Sequence, residues 1–327
     1  MTTPNLSRRR ALAATLASAL AAALPPVRGA RAGTESVLRI GYQRNGILAV
    51  AKDQGVVESA LKPLGLEVRW VEFSYGPPLL EALGLGAVAF GQTGDAPPIF
   101  AQAAGADIVY AAAQPKGGSG SAILLPPGSE IRTLADLKGR RVAFAKGSSA
   151  HNLVVAALEK AGLSYRDIEP VTLAPADAAA AFSRGSVDAW TVWDPYFAIA
   201  EAGAGVRVLA QAAEITPTNN FFLANRAVAQ AQPAAVAAIV AVLGQVATWC
   251  EGNRGSVAAS LSRATGVPLD PMQRAVGRIR FTIAPMAPEV TAEQQRIADR
   301  FHGIGVLPRP VRVADIVWAP PGAPGNG

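Results

Sequence analysis

The stretch FAKGSSAHNLVVAALEKAG, residues 144–162, sets two serines and a histidine close together. Ser149 and His151 are the types from which nucleophilic chemistry is built. Their spacing argues against it: residues two apart at a helix start do not face each other. No nearby acid is placed to orient the imidazole either, as a serine nucleophile with its base would need. An anion asks less of the same residues. Gly147 lets the backbone come close, Ser148 and Ser149 carry hydroxyls, and the helix that follows presents unpaired N–H groups at its positive end. The stretch therefore reads as an anion cradle and not as a catalytic dyad. His151 and His302 are the only histidines and Cys250 the only cysteine, so neither a His/Cys metal site nor an internal disulfide is expected, and no cofactor.

The chain opens with MTTPNLSRRRALAATLASALAAALPPVRGARA. Ser7-Arg8-Arg9-Arg10 is a twin-arginine start, followed by an apolar run of about 14 residues that is too short to span a bilayer comfortably. Ala30-Arg31-Ala32 supplies small residues for cleavage. Residues 1–32 are accordingly expected to be a cleaved export signal, with the mature chain in the periplasm and no stable membrane insertion. This leader holds five of the thirty basic residues and none of the twenty-four acids, so the mature chain carries +1 where the whole carries +6. No polybasic patch remains to argue for nucleic acid.

Beyond the leader, apolar strand patterns alternate with helical ones, which implies α/β layers with largely parallel strands. VLRIGYQ (37–43), LEVRWVEF (66–73), AVAFGQTGD and ADIVYAAA read as strands, with helices between them. QPKGGSGS (114–121) is a flexible junction after which the pattern restarts, EITPTNNFFLANR (214–226) reads as a return crossing, and the chain is then mainly helical to about Gly303. Two lobes follow: 33–117 with 216–318, and 118–215, with 319–327 a disordered tail. Ligands in such sheets bind beyond the carboxyl ends of strands. Three loops qualify there: Gly91–Ala96, Lys146–Ser149 and Trp193–Tyr196. A weak internal echo, LLEALGLGAVAFGQTGDAPPIFAQA against AAAAFSRGSVDAWTVWDPYFAIAEA, suggests that the Asp-Pro loops of the two lobes face each other across a cleft.

Several long motifs then occur in one order: RIGYQ, WVEF with GPPLLEAL, TGDAPPIFAQAAGADIVY, ADLKGRRVAFAKGSSAHNL, PADAAAAF with GSVDAWTVWDPY, and VRVLAQ. From about Leu38 to Val208 the chain resembles the aliphatic sulfonate-binding proteins of ABC importers, in the nitrate/sulfonate/taurine group of solute receptors. The resemblance implies a two-lobed type II periplasmic-binding-protein fold with two hinge crossings and the ligand in the interlobe cleft. It also implies a monomeric, non-catalytic receptor that passes an alkanesulfonate to an ABC permease with its ATPase, for sulfur uptake. Two departures stand out: Gly86-Ala87-Val88-Ala89 lacks the acid often found in that turn, and the glycine-rich KGGSGS crossing suggests a looser hinge.

A sulfonate is a strong-acid anion with three oxygens, so it calls for several donors and no proton chemistry. Gly147, Ser148 and Ser149 are candidate contacts, with ordinary helix capping as the alternative for the serines. Thr93 and the Gly94 N–H are their counterparts in the first lobe, while Asp95 reads first as the cap of the Pro97-Pro98 helix start, with ligand contact as the alternative. Gln43 offers an amide at the end of the first strand. Trp193, nearer a strand's carboxyl end than Trp190, is the wall for an alkyl tail, and Asp194 either bonds a cleft donor or holds the opposite lobe. His151 is carried as a contact beside the alternative of a packed residue. The ligand-binding set is thus Gln43, Thr93, Gly94, Gly147, Ser148, Ser149, His151, Trp193 and Asp194. The roles of Asp95, Arg44 and Lys146 stay open. Taurine, nitrate or another small anion is the alternative ligand. A cysteine-dependent desulfinase-like enzyme is a remote one, since Cys250 sits in none of the three loops.

Overall fold

A computed structural model describes residues 36–320. The expected leader (1–32) and all but the first two residues of the expected tail lie outside the described residues. The first sheet draws on β1 (Ser36–Tyr42), β2 (Leu66–Glu72), β3 (Phe90–Thr93) and β4 (Ile108–Gln114). Between them run α1 (Gly46–Gln54), α2 (Val56–Leu61), α3 (Gly76–Gly84) and α4 (Ala96–Ala103). What reads in sequence as one helix after β1 is two, because Gly55 takes a left-handed conformation (φ 64°) and its N–H closes α1 on Ala51 and Lys52. Paired prolines start α3 and α4, where their missing N–H groups are orphans anyway.

The chain then crosses to a second sheet made of β5 (Ser121–Leu125), β6 (Arg141–Phe144), β7 (Glu169–Thr172), β8 (Ala189–Trp193) and β9 (Arg207–Gln211). Its helices are α5 (Ser149–Lys160), α6 (Pro175–Ser183) and α7 (Tyr196–Glu201). It returns through β10 (Asn220–Asn225) and ends in α8 (Arg226–Ala231), α9 (Pro233–Gly252), α10 (Arg254–Thr265), α11 (Leu269–Arg278) and α12 (Pro288–Gly303).

The two sheets have the same plan: β2-β1-β3-β10-β4 and β7-β6-β8-β5-β9. In each, one strand runs against its neighbours, β10 in the first and β5 in the second. Each is the strand that enters directly from a crossing, so the largely parallel expectation is met except where the chain changes lobe. NFFLAN is therefore a central strand and more than a connection. The internal echo falls on α3-β3-α4 and α6-β8-α7, which hold equivalent places in the two sheets.

Both sheets are covered on both faces. In the first lobe, β1 and α1 pack with α9, α10 and α11 on one side, while α3, α4 and α12 cover the other. In the second lobe, α5 covers one face and α6 with α7 the other. The helix α9 is long and apolar enough to cross a membrane by length and composition, but it buries Ile239, Leu243, Val246 and Cys250 in the first-lobe core.

The glycine-rich crossing has a steric origin. At Gly118 (φ 118°) an added Cβ would lie 1.9 Å from the carbonyl oxygen of Arg278, and at Gly120 3.0 Å from Asp194 Oδ2. Arg280 N–H donates to Gly117 O and Ser119 N–H to Arg278 O, so this crossing is seamed to the end of α11. The glycines permit close packing here, which differs from the looser hinge expected from composition alone.

Candidate binding cleft

The carboxyl ends of β1, β3, β6 and β8 converge on one cavity of about 160 Å³, roughly ten times the room a single buried water needs on that measure. Seven of the nine residues singled out in sequence line it: Gln43, Thr93, Gly94, Ser148, Ser149, Trp193 and Asp194. The Asp-Pro loops do meet there, since Asp95 and Asp194 both reach the same cavity.

Backbone geometry makes the cavity a set of N–H donors. Gly46, Gly76 and Ser149 begin α1, α3 and α5, and all three line it. The N-cap side chains of these helices cap nothing: Asn45 Nδ2 donates to Asp194 O (3.2 Å) and Ser148 Oγ donates to Ala145 O (2.6 Å). In α5 the N–H groups of Ser149 and Ala150 precede the first turn bond, from His151 N–H to Ser148 O. Orphan donors and helix dipoles thus point into one space from both lobes. The helix α4 is different, because Asp95 Oδ1 accepts from Ala96 N (2.7 Å), as expected of a cap.

Thr93 carries the sharpest signal. Only 3% exposed, its Oγ1 has no hydrogen-bond partner within the protein. A buried hydroxyl left unpaired costs about 1–3 kcal/mol. Here it sits against Gly76, where a Cβ would lie 2.2 Å from it. Trp193 is half-buried at the wall, whereas Trp190 is core, packed on Phe182 and Tyr196.

Two singled-out residues lie outside the lining. Gly147 (φ 72°) spends its N–H on His151 Nδ1 (3.2 Å). His151 is 1% exposed, stacked on Phe144 (4.7 Å between ring centroids) and packed on Phe301 of α12 (4.9 Å). With Nδ1 accepting, Nε2 carries the proton and donates to Tyr165 Oη (3.1 Å). His151 is therefore a seam residue between the lobes, and the cleft-contact expectation for it is corrected by packing. Arg44 pairs with Glu72 at the surface (2.6 Å). Cys250 is buried away from the cavity, and burial pushes its thiol up to about 12, which withholds the thiolate that nucleophilic chemistry needs.

Burial and the charge of Lys146 push the pKa of His151 down to about 4 from 6.5. The neutral form is thus favoured on folding. Its contribution to stability is fully present above about pH 6.5 and is lost as pH falls through about 4, roughly 3 kcal/mol in all. Imidazole NMR separates it from His302: the His151 resonance is expected to remain neutral at pH 5, and a midpoint near 6.5 would contradict the seam packing.

Lobe-to-lobe contacts flank the cavity on both sides. On one side Asp95 N–H donates to Ser149 Oγ (3.2 Å) and Asn152 Nδ2 donates to Asp95 Oδ2 (2.7 Å). Arg300 then holds Asn152 Oδ1 (2.9 Å) and Glu159 (2.7 Å). On the other, Arg278 pairs with Asp194 (3.1 Å) and with Glu201. Burial raises the Asp194 carboxyl to about 6 even though Arg278 opposes the shift.

Sequence reasoning missed Gln92, Gln114 and Asn152, which line the cavity, and Arg278 beside it. Gln114 is the first polar residue at the carboxyl end of β4, the same signal that marks Gln43. Nothing local marks Arg278, which reaches the cleft only because α11 returns across the second lobe.

Two sheets of one plan, two crossings and a cavity of inward-facing strand ends define a two-lobed solute-binding protein of the periplasmic-binding type. The chain belongs to the NMT1/THI5 like family, which matches residues 48–253, and to the group of aliphatic sulfonate-binding proteins. A relative from Escherichia coli (strain K12), named for binding aliphatic sulfonates, is 42% identical over 285 residues, covering 86% of this chain and 89% of the relative. The alkanesulfonate-binding protein SsuA from Xanthomonas axonopodis pv. citri, solved bound to MOPS, superposes with a TM-score of 0.81 at 41% identity, covering 86% of this chain and 98% of that one. The periplasmic aliphatic sulphonate binding protein SsuA from Escherichia coli gives 0.79 at 41% identity, with 89% and 95% covered.

Proposed function

We propose that this chain is an exported receptor that captures aliphatic sulfonates between its lobes and delivers them to an ABC permease with its ATPase. One observation carries the reading most: the buried, unpartnered Thr93 hydroxyl faces a cavity ringed by uncapped helix starts. Neutral N–H and O–H donors desolvate cheaply and suit an anion that never takes a proton in the working pH range. Thr93, Gly94, Ser149 and Gln43 hold the sulfonate head, Ser148 shapes the loop through its bonds to Ala145 O, and Trp193 packs on the alkyl tail. The relatives that bind aliphatic sulfonates support this choice of anion. Taurine fits less well, because its ammonium needs a free carboxylate while Asp95 and Asp194 both spend theirs on protein donors.

Calorimetric titration of protein freed of ligand by unfolding and refolding tests the reading, with ethanesulfonate, a longer alkanesulfonate, taurine, nitrate and sulfate. Alkanesulfonates are expected to bind tightly, with nitrate and sulfate weak. Thr93→Val is expected to weaken alkanesulfonate binding roughly 10- to 100-fold, the loss of a hydrogen bond to a charged group, while the ligand-free protein melts no lower. A variant that loses stability and keeps affinity would assign Thr93 to the fold instead. No alkanesulfonate binding in folded protein would sink the reading.

A further inference from the structure

Charge is what the cavity lacks. Among the described residues that line it there is no Lys, Arg or His, yet two aspartates reach it, both nearly buried: Asp95 (3% exposed) and Asp194 (8%). The cations nearest to it along the interlobe contacts are already engaged by acids. Arg278 is shared by Asp194 and Glu201, and Arg274 reaches Glu201 as well (3.4 Å), so these two acids are matched by two arginines. Arg300 is held by Glu159 and by the amide oxygen of Asn152, whose other end donates to Asp95; here the charges of Arg300, Glu159 and Asp95 sum to −1. An anion held here meets only dipoles and hydroxyls, against a background that is net negative.

Such a background sets a ceiling on ligand charge. Partial charges at helix starts and hydroxyl donors are enough for a single spread charge. A second negative charge gains little from the same fixed donors but doubles the repulsion from each carboxylate, in a cleft where charges interact far more strongly than in water. Of the two aspartates, Asp194 is offset by Arg278 directly, whereas Asp95 faces only neutral donors: Ala96 N–H and Asn152 Nδ2 on its carboxylate, and Ser149 beside them. Asp95 also directly follows Thr93-Gly94, the first-lobe half of the proposed anion cradle.

We propose that the cleft selects by net charge, admitting monoanionic oxyanion heads and rejecting dianions of the same shape, and that Asp95 is the residue that sets this limit. The inference rests on the sulfonate-receptor reading and narrows it from a list of acids to a rule. Sulfonates and sulfate monoesters pass; phosphate monoesters, doubly charged above their second pKa of about 6, do not. A polar residue long recognisable as a helix cap thereby has a second task, which explains why a carboxylate stands at the mouth of an anion site at all.

The test uses butanesulfonate, butyl sulfate and butyl phosphate with the full protein at pH 8, where the phosphate is a dianion. Butyl sulfate and butyl phosphate have the same tail and nearly the same head, so charge is the main difference. Butyl sulfate is expected to bind within a few-fold of butanesulfonate, and butyl phosphate at least 100-fold more weakly. Asp95→Asn removes the charge and keeps one acceptor oxygen for the Ala96 N–H cap, giving up the bond from Asn152 Nδ2. It is expected to close at least tenfold of the sulfate–phosphate gap. Methyl butyl phosphate, a monoanion at every working pH, is expected to bind the unaltered protein better than butyl phosphate. Equal binding of butyl sulfate and butyl phosphate would overturn the proposal, as would Asp95→Asn shifting both by one factor. Failure of butanesulfonate itself would instead overturn the receptor reading, and the charge rule with it.

Discussion

Gly94→Val is expected to lower sulfonate affinity by about 100-fold or more while leaving the unliganded melting temperature nearly unchanged. Gly94 and Ser149 stand on different lobes. A Cβ built on Gly94 would lie 2.0 Å from Ser149 Oγ and 3.2 Å from Ser149 Cβ. Rotating the serine relieves the first contact only by abandoning the bond from Asp95 N–H. The second contact remains, and valine's branches worsen it. Overpacking a tight contact costs about 1–3 kcal/mol, and the added loss of an interlobe hydrogen bond takes the total past 3. Opening the lobes removes the clash altogether, so the penalty falls on the closed, liganded form alone. Calorimetry gives the affinity, and small-angle scattering at saturating ligand should report an opened particle. Affinity within threefold of the parent would show that closure does not need this contact.

Arg278→Met is expected to damage both stability and binding, by about 3 kcal/mol, because it strands the buried carboxylate of Asp194 and leaves Glu201 to Arg274 alone. Arg278 pairs with Asp194 and Glu201 at side-chain exposures of 17%, 9% and 20%, and its guanidinium lies 3.8 Å from the centroid of the Phe197 ring. Burial already lifts Asp194 to about 6, and Arg278 is the largest influence holding it down. Removing Arg278 lifts it further. A carboxyl raised on folding contributes stability at low pH and loses it as pH rises through its folded pKa. The deficit of Arg278→Met is therefore expected to be greatest near pH 8 and smaller near pH 5, where Asp194 takes up a proton. Urea unfolding at both pH values measures it. Adding Asp194→Asn to Arg278→Met should recover a substantial part of the loss. A double variant no better than the single would mean that Arg278 acts through Phe197 and packing.

The two predictions bear on opposite sides of one cleft, and the residues behind them differ in how far sequence could reach them. Glycine, serine and threonine at strand ends announce themselves, because each loop must carry its own donors and its own permissive backbone. Gln43, Thr93, Gly94, Ser148 and Ser149 were legible for that reason, as was Trp193 against Trp190, from the two-residue alternation of a strand. Alternating strand and helix patterns likewise dictate the α/β layers and the break between lobes.

Tertiary structure decided the rest. His151 and Gly147 carry the right types in the right loop, but whether an imidazole turns to the cavity or to Phe144 and Phe301 depends on aromatic rings that arrive from residues 144 and 301. The glycines at 117, 118 and 120 look flexible as a string of letters, and only the approach of Asn220, the Arg278 carbonyl and Asp194 shows why no side chain fits there. Arg278 became a cleft residue because the chain crossed twice before laying α11 against the second lobe. Local chemistry is written in neighbouring residues, since helix starts and strand ends are made from them. Charge balance is not, because a buried carboxylate is offset or left exposed to its ligand by groups brought from 57 to 84 residues away.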